Sequence, residues 1–303
     1  MSHRLSIYLI LFLGLLGCKN HYLYKDTQVM MGTFVEIISP DKKAAPIVFT
    51  EIRIIEKLLS KYNPESEVSQ LNKTGQLRVS PETFYVIKKS KEFWQKSAGA
   101  FDITVAPLMD LWGFTERKFS VPDEEKIRET LERVGSDKII LQEENNVIKF
   151  GVPGMRIDLG GIAKGYSLDA AAKKLRAAGI KSCLINTGGQ IYALGTKFGI
   201  PWKVAIKGPR SNNFVGYLEI ADQSVSTSGD YEQYFTKGKA RYSHIINPKT
   251  GYPADSGVVS VTVIAPDGLT ADALSTAIFV LGKEKGEELA RAFPGVEVRV
   301  FER

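Results

Sequence analysis

The chain has 303 residues, of which 44% are hydrophobic and 24% charged, and its formal net charge at pH 7 is +6. These proportions are typical of a globular protein with a sizeable core and exclude an intrinsically disordered chain. Lysine and arginine are spread along the sequence without a basic run, a zinc-finger pattern or an RNA-binding motif, so nucleic acid is not expected as a partner.

The N-terminus has the organisation of an export signal. His3 and Arg4 precede an apolar run over residues 5–16, which is short for a membrane span and is followed by Gly17 and Cys18. The ending LLGC resembles the lipobox of bacterial lipoproteins, in which the cysteine becomes the lipidated first residue. The alternative is an ordinary signal peptide with a chance cysteine. We predict a signal peptide over residues 1–17 and lipidation of Cys18.

A lipid on Cys18 would tether the rest of the chain outside the cytoplasmic membrane. Residues 18–26 are then a stalk, and residues 27–303 form the folded domain. The expected location is the periplasmic side of the bacterial cell envelope, with the outer membrane favoured in a Gram-negative host because Lys19, not aspartate, follows the cysteine. Cys183 is the remaining cysteine, so no intramolecular disulfide is expected. Its apolar neighbours indicate a core residue, not a nucleophile.

Apolar periodicity and turn residues predict the elements in chain order. The first half is predicted to contain a strand over 33–38, helices over 43–61, from Ser80 onward and over 121–134, and strands over 137–142 and 146–150. The second half is predicted to contain a helix over 166–178, strands over 182–186, 190–194, 202–207, 216–221 and 258–264, two helices of which the first covers 269–281, and a strand over 296–301. This order predicts an α+β fold with mixed helices and a mostly antiparallel sheet, arranged as helical and sheet-rich lobes.

Several common chemistries lack their residues or motifs here. His3 lies in the signal and His21 in the stalk, which leaves His244 as the one histidine of the domain and excludes a zinc site of nitrogen and sulfur ligands. There is no H-E-x-x-H or G-x-S-x-G motif. Lys164, within IDLGGIAKGYSLD (residues 157–169), lacks the flanking pattern of a Walker A loop. Metalloprotease, serine hydrolase and P-loop functions are therefore excluded.

Asp272 and Thr276 are four residues apart in a predicted helix and so lie on one face of it. A carboxylate and a hydroxyl in this arrangement suit Mg²⁺, which prefers hard oxygen ligands and keeps sites for water and phosphate. The alternative is structural, because an aspartate near a helix start is favoured by the helix dipole and a threonine can bond back to its own helix.

Three further polar stretches leave a choice between structure and function. NTGG (residues 186–189) is either a close backbone approach to a ligand or a hairpin turn. STSGD (226–230) follows a strand and is a candidate ligand loop. His244 precedes a turn and is either structural or a general base, since the ordinary pKa of histidine is about 6.5.

Taken together, these stretches resemble the ApbE family of FAD:protein FMN transferases over nearly all of the chain after the stalk. The matching motifs stand in family order: MGT (31–33), SKYN (60–63), SEVSQLN (66–72), GAFDIT (99–104), LWGF (111–114), IDLGGIAKGYSLD (157–169), NTGG (186–189), TSGD (227–230), HIINPKTG (244–251) and ADALST (271–276).

The resemblance implies a two-lobed enzyme that binds FAD and Mg²⁺ between its lobes. It would transfer FMN through a phosphoester bond to a threonine or serine hydroxyl of an acceptor protein and release AMP. The FAD contacts implied by the resemblance are Met31, Tyr62, Ala100, Phe101, Asp102, Asp158, Lys164 and Ile245. The implied metal ligands are the Gly161 carbonyl and the side chains of Asp272 and Thr276. Some family members have an acidic residue at the position of Ser275. His244 is our candidate general base.

Two other functions fit the same residues. One is a Mg²⁺-dependent FAD pyrophosphatase, in which water replaces the protein hydroxyl and the products are FMN and AMP. The other is a non-catalytic flavin-binding lipoprotein.

Overall fold

A computed structural model describes residues 22–211 and 213–303. His3, Cys18 and His21 lie outside the described residues. The signal peptide and the lipidation of Cys18 therefore remain predictions.

Most helices lie in the first half of the described chain, and the strands β6 to β13 follow one another between α6 and α7. The α-helices are α1 (Ala44–Leu59), α2 (Glu67–Thr74), α3 (Pro81–Lys96), α4 (Ala106–Leu111), α5 (Glu124–Leu131), α6 (Ala163–Ala177), α7 (Gly268–Leu281) and α8 (Lys283–Arg291). The strands are β1 (Tyr24–Met30), β2 (Thr33–Ser39), β3 (Gln76–Arg78), β4 (Ile139–Gln142), β5 (Val147–Phe150), β6 (Cys183–Thr187), β7 (Gln190–Leu194), β8 (Trp202–Lys207), β9 (Phe214–Ile220), β10 (Gln223–Gly229), β11 (Tyr234–Lys237), β12 (Ala240–Ser243), β13 (Val258–Ala265) and β14 (Glu297–Glu302). Within residues 22–211 and 213–303, no helix is both long and apolar enough to cross a membrane.

Seven strands form one antiparallel sheet in the order β1-β2-β6-β7-β10-β13-β14. Its strand β13, with the sequence VVSVTVIA, is buried at every position. Helix α7 packs against β10 and β13 and also against α6, and α6 packs against α1. Because α7 is apolar on nearly all sides, almost all of it is buried. Asp272 and Thr276 therefore project from a helix that the surrounding core holds in place.

Three small antiparallel sheets complete the fold: β3-β5-β4, the hairpin β8–β9 and the hairpin β11–β12. Strand β12 ends at Ser243, so the hairpin leads the chain directly to His244. The predicted fold class, mixed helices with antiparallel sheets, is confirmed.

The structure differs from the predicted elements in a few places. Strand β1 begins at Tyr24 and pairs with β2, so the predicted stalk over residues 18–26 overlaps the sheet. As a mostly exposed edge strand, β1 carries no apolar alternation that would reveal it. Strand β10 (QSVSTSG) was also not predicted, because its buried positions are largely serine. Helix α6 begins at Ala163, before the predicted start at residue 166.

Candidate active site

A cavity of about 230 Å³ brings together segments that are far apart in the sequence. It is lined by the segment over residues 100–109, which includes the start of α4, and by the start of IDLGGIAKGYSLD, the end of β10, the segment after β12 and one face of α7. Of the residues predicted to contact FAD, hold a metal or act as a base, all but Met31 line it: Tyr62, Ala100, Phe101, Asp102, Asp158, Gly161, Lys164, His244, Ile245, Asp272 and Thr276.

Met31 has a structural position outside the lining of this cavity. It occupies the tight turn between β1 and β2 with a φ of 50°, followed by Gly32 with a φ of 71°, and positive φ at both central residues is what a type I′ hairpin requires. Its backbone N–H donates to Glu56 Oε1 at 2.8 Å, and its side chain packs against the hydrophobic core. Its contact with FAD stays a prediction.

Gly161, Thr276 and Phe101 meet at one corner of the cavity. A Cβ atom placed on Gly161 would lie 3.0 Å from Thr276 Oγ1 and 3.4 Å from Phe101 Cε2. The missing side chain at Gly161 therefore leaves its backbone open toward the threonine hydroxyl. Any larger residue at this position would occupy that corner.

Asp272 is fixed by helix α6. The residue is only 5% exposed, and its Oδ2 accepts a hydrogen bond from the Gly165 backbone N–H at 2.9 Å. Burial raises the pKa of its carboxyl, while the nearby Lys164 ammonium and the Gly165 N–H oppose that rise. The anion is thus supported on one side by a backbone donor and on the other by a positive charge.

The contact between α6 and α7 depends on two glycines. A Cβ on Gly165 would lie 2.0 Å from the Gly268 carbonyl oxygen, so the two backbones touch directly. Asp169, one turn later on α6, accepts hydrogen bonds from the backbone N–H groups of Gly268 at 2.6 Å and Leu269 at 2.9 Å. This carboxylate caps the start of α7 from the neighbouring helix. Burial raises its pKa to about 7, and the two N–H donors oppose the rise.

Ser275 connects α7 to strand β10 of the sheet through hydroxyl contacts. Its Oγ lies 3.1 Å from Ser226 Oγ and 2.8 Å from Ser228 Oγ, and it donates to the Asp272 carbonyl at 2.9 Å. Ser275 is fully buried and does not line the cavity. The position that is acidic in some family members therefore serves helix packing in this chain.

The donor set at the Gly161 corner fits a hard cation with few protein ligands. It combines one carboxylate, one hydroxyl and one backbone carbonyl, and Mg²⁺ commonly completes its shell with water and phosphate oxygens. Across the described residues, no group of three or more His, Cys, Asp or Glu side chains is placed to hold a metal. The Mg²⁺ site at Gly161, Asp272 and Thr276 stays a prediction.

Asp158 has a cationic partner that was not predicted. Its Oδ2 lies 2.8 Å from Lys61 Nζ, and both side chains are largely buried, at 16% and 10% exposed. Its other oxygen accepts from the Gly160 N–H at 2.8 Å. Lys61 Nζ also lies 5.1 Å from the centre of the Tyr62 ring, which is exposed at the cavity rim. The ion pair joins the SKYN and IDLGG motifs next to the cavity, which Tyr62 and Asp158 line.

Asp102 anchors the loop that forms the cavity floor. Its Oδ1 accepts hydrogen bonds from the Thr104 N–H and hydroxyl and from the Ser136 hydroxyl, and its Oδ2 accepts from the Ser136 N–H. Burial raises the pKa of this carboxyl, and those four donors oppose the rise. With its oxygens used in this way, Asp102 holds Ala100 and Phe101 in place.

His244 is held in one tautomer. Its Nδ1 lies 3.1 Å from the Gln233 carbonyl oxygen, which also accepts from the His244 backbone N–H at 2.9 Å. A carbonyl can only accept, so Nδ1 carries the proton and Nε2 retains its lone pair. Burial, aided by Lys164, lowers the pKa of the imidazole to about 4. His244 is therefore neutral at pH 7 and able to accept a proton at Nε2.

The depressed pKa of His244 predicts a loss of stability in acid. The pKa of His244 is about 4 in the folded protein and about 6.5 in the unfolded chain, so the unfolded chain binds the proton first as the pH falls. The contribution of the neutral imidazole to stability is therefore fully present above pH 6.5 and decreases as the pH drops toward 4. At about 1.4 kcal/mol per pKa unit, the loss reaches about 3 kcal/mol. The measurement is the free energy of unfolding of the wild type and of His244→Asn, whose amide can still donate to Gln233, between pH 4 and 8.

Asp169 and other groups that titrate in this range are present in both proteins. The difference between the two free energies of unfolding therefore reports the titration of His244 alone. We expect the wild type to lose stability relative to His244→Asn below pH 6.5. If the difference in unfolding free energy stays constant between pH 4 and 8, the pKa of His244 is not depressed.

Four residues of the site or its support were missed by sequence reasoning: Lys61, Asp169, Glu232 and Gln233. Glu232 and Gln233 line the cavity just after the TSGD motif. Gln233 acts through its backbone carbonyl, and no side-chain pattern signals such a role. Lys61 and Asp169 stand inside the recognised motifs SKYN and IDLGGIAKGYSLD, but their partners are 97 and 99 positions away along the chain.

The structure also places the two remaining polar stretches of the sequence. Gly188 and Gly189 form the turn between β6 and β7, and Thr227 and Ser228 line the cavity.

The chain is similar to proteins of known family over nearly its whole length. The model of the ApbE family matches residues 31–300. A FAD:protein FMN transferase of Klebsiella pneumoniae is 36% identical over 275 residues, covering 88% of this chain and 85% of that protein. One of Treponema pallidum is 32% identical and covers 97% of this chain and 89% of its own length.

Solved structures agree with the sequence relatives. The ApbE protein of Thermotoga maritima superimposes with a TM-score of 0.85 at 35% identity, over 92% of this chain and 94% of its own. The flavin transferase ApbE of Vibrio cholerae gives a TM-score of 0.83 at 31% identity, over 93% and 94%. The family model covers every residue that lines the cavity, the relatives and structures cover most of the chain, and the chain belongs to the ApbE family.

Proposed function

We propose that this protein is a FAD:protein FMN transferase. It moves the FMN half of FAD to a threonine or serine hydroxyl of an acceptor protein and releases AMP. The observation that carries the proposal is the gathering of six of the ten matching motifs around one cavity in a chain that matches the family from residue 31 to residue 300.

The cavity size suits partial enclosure of FAD. Pockets that bury a whole small-molecule ligand usually measure about 300–1,000 Å³, and this cavity measures about 230 Å³. We infer that it encloses the reacting centre, with the remainder of the nucleotide extending across the rim. Tyr62 is 69% exposed at that rim, where a flat ring system could stack on it.

The transfer is a displacement at phosphorus. The acceptor oxygen forms a bond to the FMN-side phosphorus, the anhydride P–O bond breaks, and AMP leaves with that oxygen. His244 Nε2 takes the proton of the attacking hydroxyl. Lys164 places a positive charge beside Asp272 and the reacting phosphates. Mg²⁺ held by Asp272, Thr276 and the Gly161 carbonyl would neutralise the charge of the pyrophosphate.

We also propose that Cys18 carries a lipid that anchors the enzyme to the bacterial cell envelope on the periplasmic side. The LLGC ending supports this proposal. Mass spectrometry of the protein isolated from bacterial membranes tests it, since a diacylglyceryl cysteine at the mature N-terminus is expected. A Cys18→Ala variant should appear in the soluble fraction.

The function is tested by mixing the protein with FAD, Mg²⁺ and an acceptor domain that carries a threonine flavinylation motif. We expect the acceptor to become covalently fluorescent while AMP appears in equal amount. A parallel mixture without acceptor measures hydrolysis of FAD. If AMP accumulates and the acceptor stays unlabelled, the protein is a FAD pyrophosphatase. If neither product appears, it binds flavin without catalysis.

Replacing His244 should affect the reaction more than binding. Loss of a general base typically slows a reaction by a factor of about 100 or more. We therefore expect His244→Ala to lower the rate of acceptor labelling at saturating FAD by about 100-fold, with little change in the Kd for FAD measured by flavin fluorescence. Equal losses in rate and affinity would assign His244 to binding only.

A further inference from the structure

A second cavity, of about 630 Å³, lies beside the first and is strongly basic. Four cationic side chains line it: Arg210, Lys239, Arg241 and Arg303. The one carboxylate among its lining residues is Asp255. Tyr242 and Tyr252 add aromatic surface. The predicted FAD and metal residues other than Met31 line the other cavity, and none of them lines the basic one.

Two of the cations are fixed by a buried carboxylate. Asp230 is 5% exposed and forms ion pairs with Arg210 and with Arg241, whose Nη1 lies 3.7 Å from Asp230 Oδ1. The guanidinium of Arg241 also lies 3.9 Å from the centre of the Tyr234 ring. These contacts hold the arginines in defined positions, although 41% of the Arg210 side chain and 30% of the Arg241 side chain remain exposed.

The other two cations are available at the surface. Arg303 pairs with Asp255 at 2.6 Å, and both side chains are more than half exposed. Lys239 stands in the turn between β11 and β12 and forms no ion pair with any described residue. Counting Asp230 and Asp255 against the four cations, the surface keeps an excess of two positive charges. An exposed excess of this kind attracts anionic groups.

The basic cavity shares a wall with the reactive one. Asn247 N–H donates to the Tyr252 carbonyl at 2.8 Å, and Ala254 N–H donates to the Ile245 carbonyl at 2.8 Å. Tyr252 and Ala254 line the basic cavity, whereas Ile245 lines the reactive one. Strand β12 carries Arg241 and ends one residue before His244. A chain lying in the basic cavity therefore contacts the segment over residues 245–254, which directly follows His244 and also lines the reactive cavity.

We propose that this basic cavity docks an acidic segment of the acceptor protein and thereby presents the neighbouring hydroxyl to His244. The inference rests on the proposed transferase function. Opposite charge across the contact would speed encounter and select acceptors with carboxylates close to the modified residue. The contact should weaken with salt, because the cations are exposed.

The test uses the double variant Lys239→Glu/Arg303→Glu in the full-length protein. These two residues are chosen because neither pairs with buried Asp230, so the fold should tolerate the change. We expect the KM for the acceptor domain to rise at least about tenfold, which corresponds to about 1.4 kcal/mol, while the Kd for FAD stays unchanged. The matched control is Lys173→Glu/Lys181→Glu, which makes the same change in net charge at exposed residues outside both cavities.

A second measurement uses a ten-residue glutamate peptide as a probe. We expect this peptide to compete with the acceptor for binding to the wild type and to the control variant. It should not compete for binding to Lys239→Glu/Arg303→Glu. A lysine peptide of equal length should have no effect. If wild-type protein labels the acceptor and the double variant has the same KM, the docking proposal is wrong and the function stands.

Two other results would also be informative. If the wild type labels no acceptor at all, the proposed function itself fails. If the double variant keeps its KM but loses binding to phosphatidylglycerol vesicles, the surface binds lipid headgroups and the docking proposal is overturned.

Discussion

Substituting Asp272 by alanine is expected to abolish AMP release from FAD in the presence of Mg²⁺ and acceptor. Asp272 is the one carboxylate of the predicted metal ligands; it is buried, accepts a hydrogen bond from the Gly165 N–H and is stabilised as an anion by the charge of Lys164. A metal ion at a phosphoryl centre contributes several kcal/mol of charge stabilisation, and about 4 kcal/mol corresponds to a factor of about 10³ in rate. We expect a decrease of at least that size, measured as AMP by chromatography at saturating FAD.

The Asp272→Ala result needs a control for folding and for general loss of charge. Glu129→Ala removes an exposed carboxylate of α5 that lines neither the reactive nor the basic cavity, and it should leave AMP release unchanged. Asp272→Asn keeps the shape and an oxygen for Gly165 but lowers metal affinity, so raising the Mg²⁺ concentration should recover part of its activity. Near-normal turnover in Asp272→Ala, with the protein folded, would contradict the assigned metal site and favour a non-catalytic flavin-binding protein.

How far the sequence predicted the site depended on whether a residue acts through its side chain. Asp272 and Thr276 were identified by their spacing on a helix and by the family motif; both line the cavity, and Thr276 lies next to Gly161 at one corner of it. By contrast, Gln233 orients His244 with a backbone carbonyl, which any residue type could supply. Met31 belongs to a matching motif, but its side chain packs into the core.

The fold was predictable where burial produces apolar periodicity and was missed where it does not. Helix α1 and strand β13 were predicted nearly to their ends because one or both faces are apolar. Strand β10 is buried through serines, and the hydroxyls of Ser226 and Ser228 contact that of Ser275, so the strand resembles a loop in the sequence. The same hydroxyl contacts position Thr227 and Ser228 in the cavity wall. The strand that carries these two residues therefore has the sequence of a polar motif and was not predicted.

Replacing Gly165 by alanine is expected to destabilise the protein by about 3 kcal/mol, the upper end of the usual cost of overpacking. In an open helix position the change from glycine to alanine would stabilise by up to about 1 kcal/mol. Here the new Cβ would lie 2.0 Å from the Gly268 carbonyl oxygen and 2.8 Å from Asp272 Cβ, and backbone atoms cannot rotate away. Helices α6 and α7 must therefore separate. Urea unfolding at pH 7.5 measures the change.

Gly216→Ala is the matched control, because nothing lies within 4 Å of a Cβ at that position of β9 and its φ is not positive. It should leave stability unchanged or slightly higher. Separating α6 from α7 also breaks the Gly165–Asp272 hydrogen bond, so the folded fraction of Gly165→Ala should need more Mg²⁺ for half-maximal AMP release than the wild type. If Gly165→Ala is as stable as Gly216→Ala and has a normal Mg²⁺ requirement, direct backbone contact between the two helices does not set the geometry of Asp272. If stability falls and the Mg²⁺ requirement rises together, the packing of α6 on α7 determines both fold and catalysis.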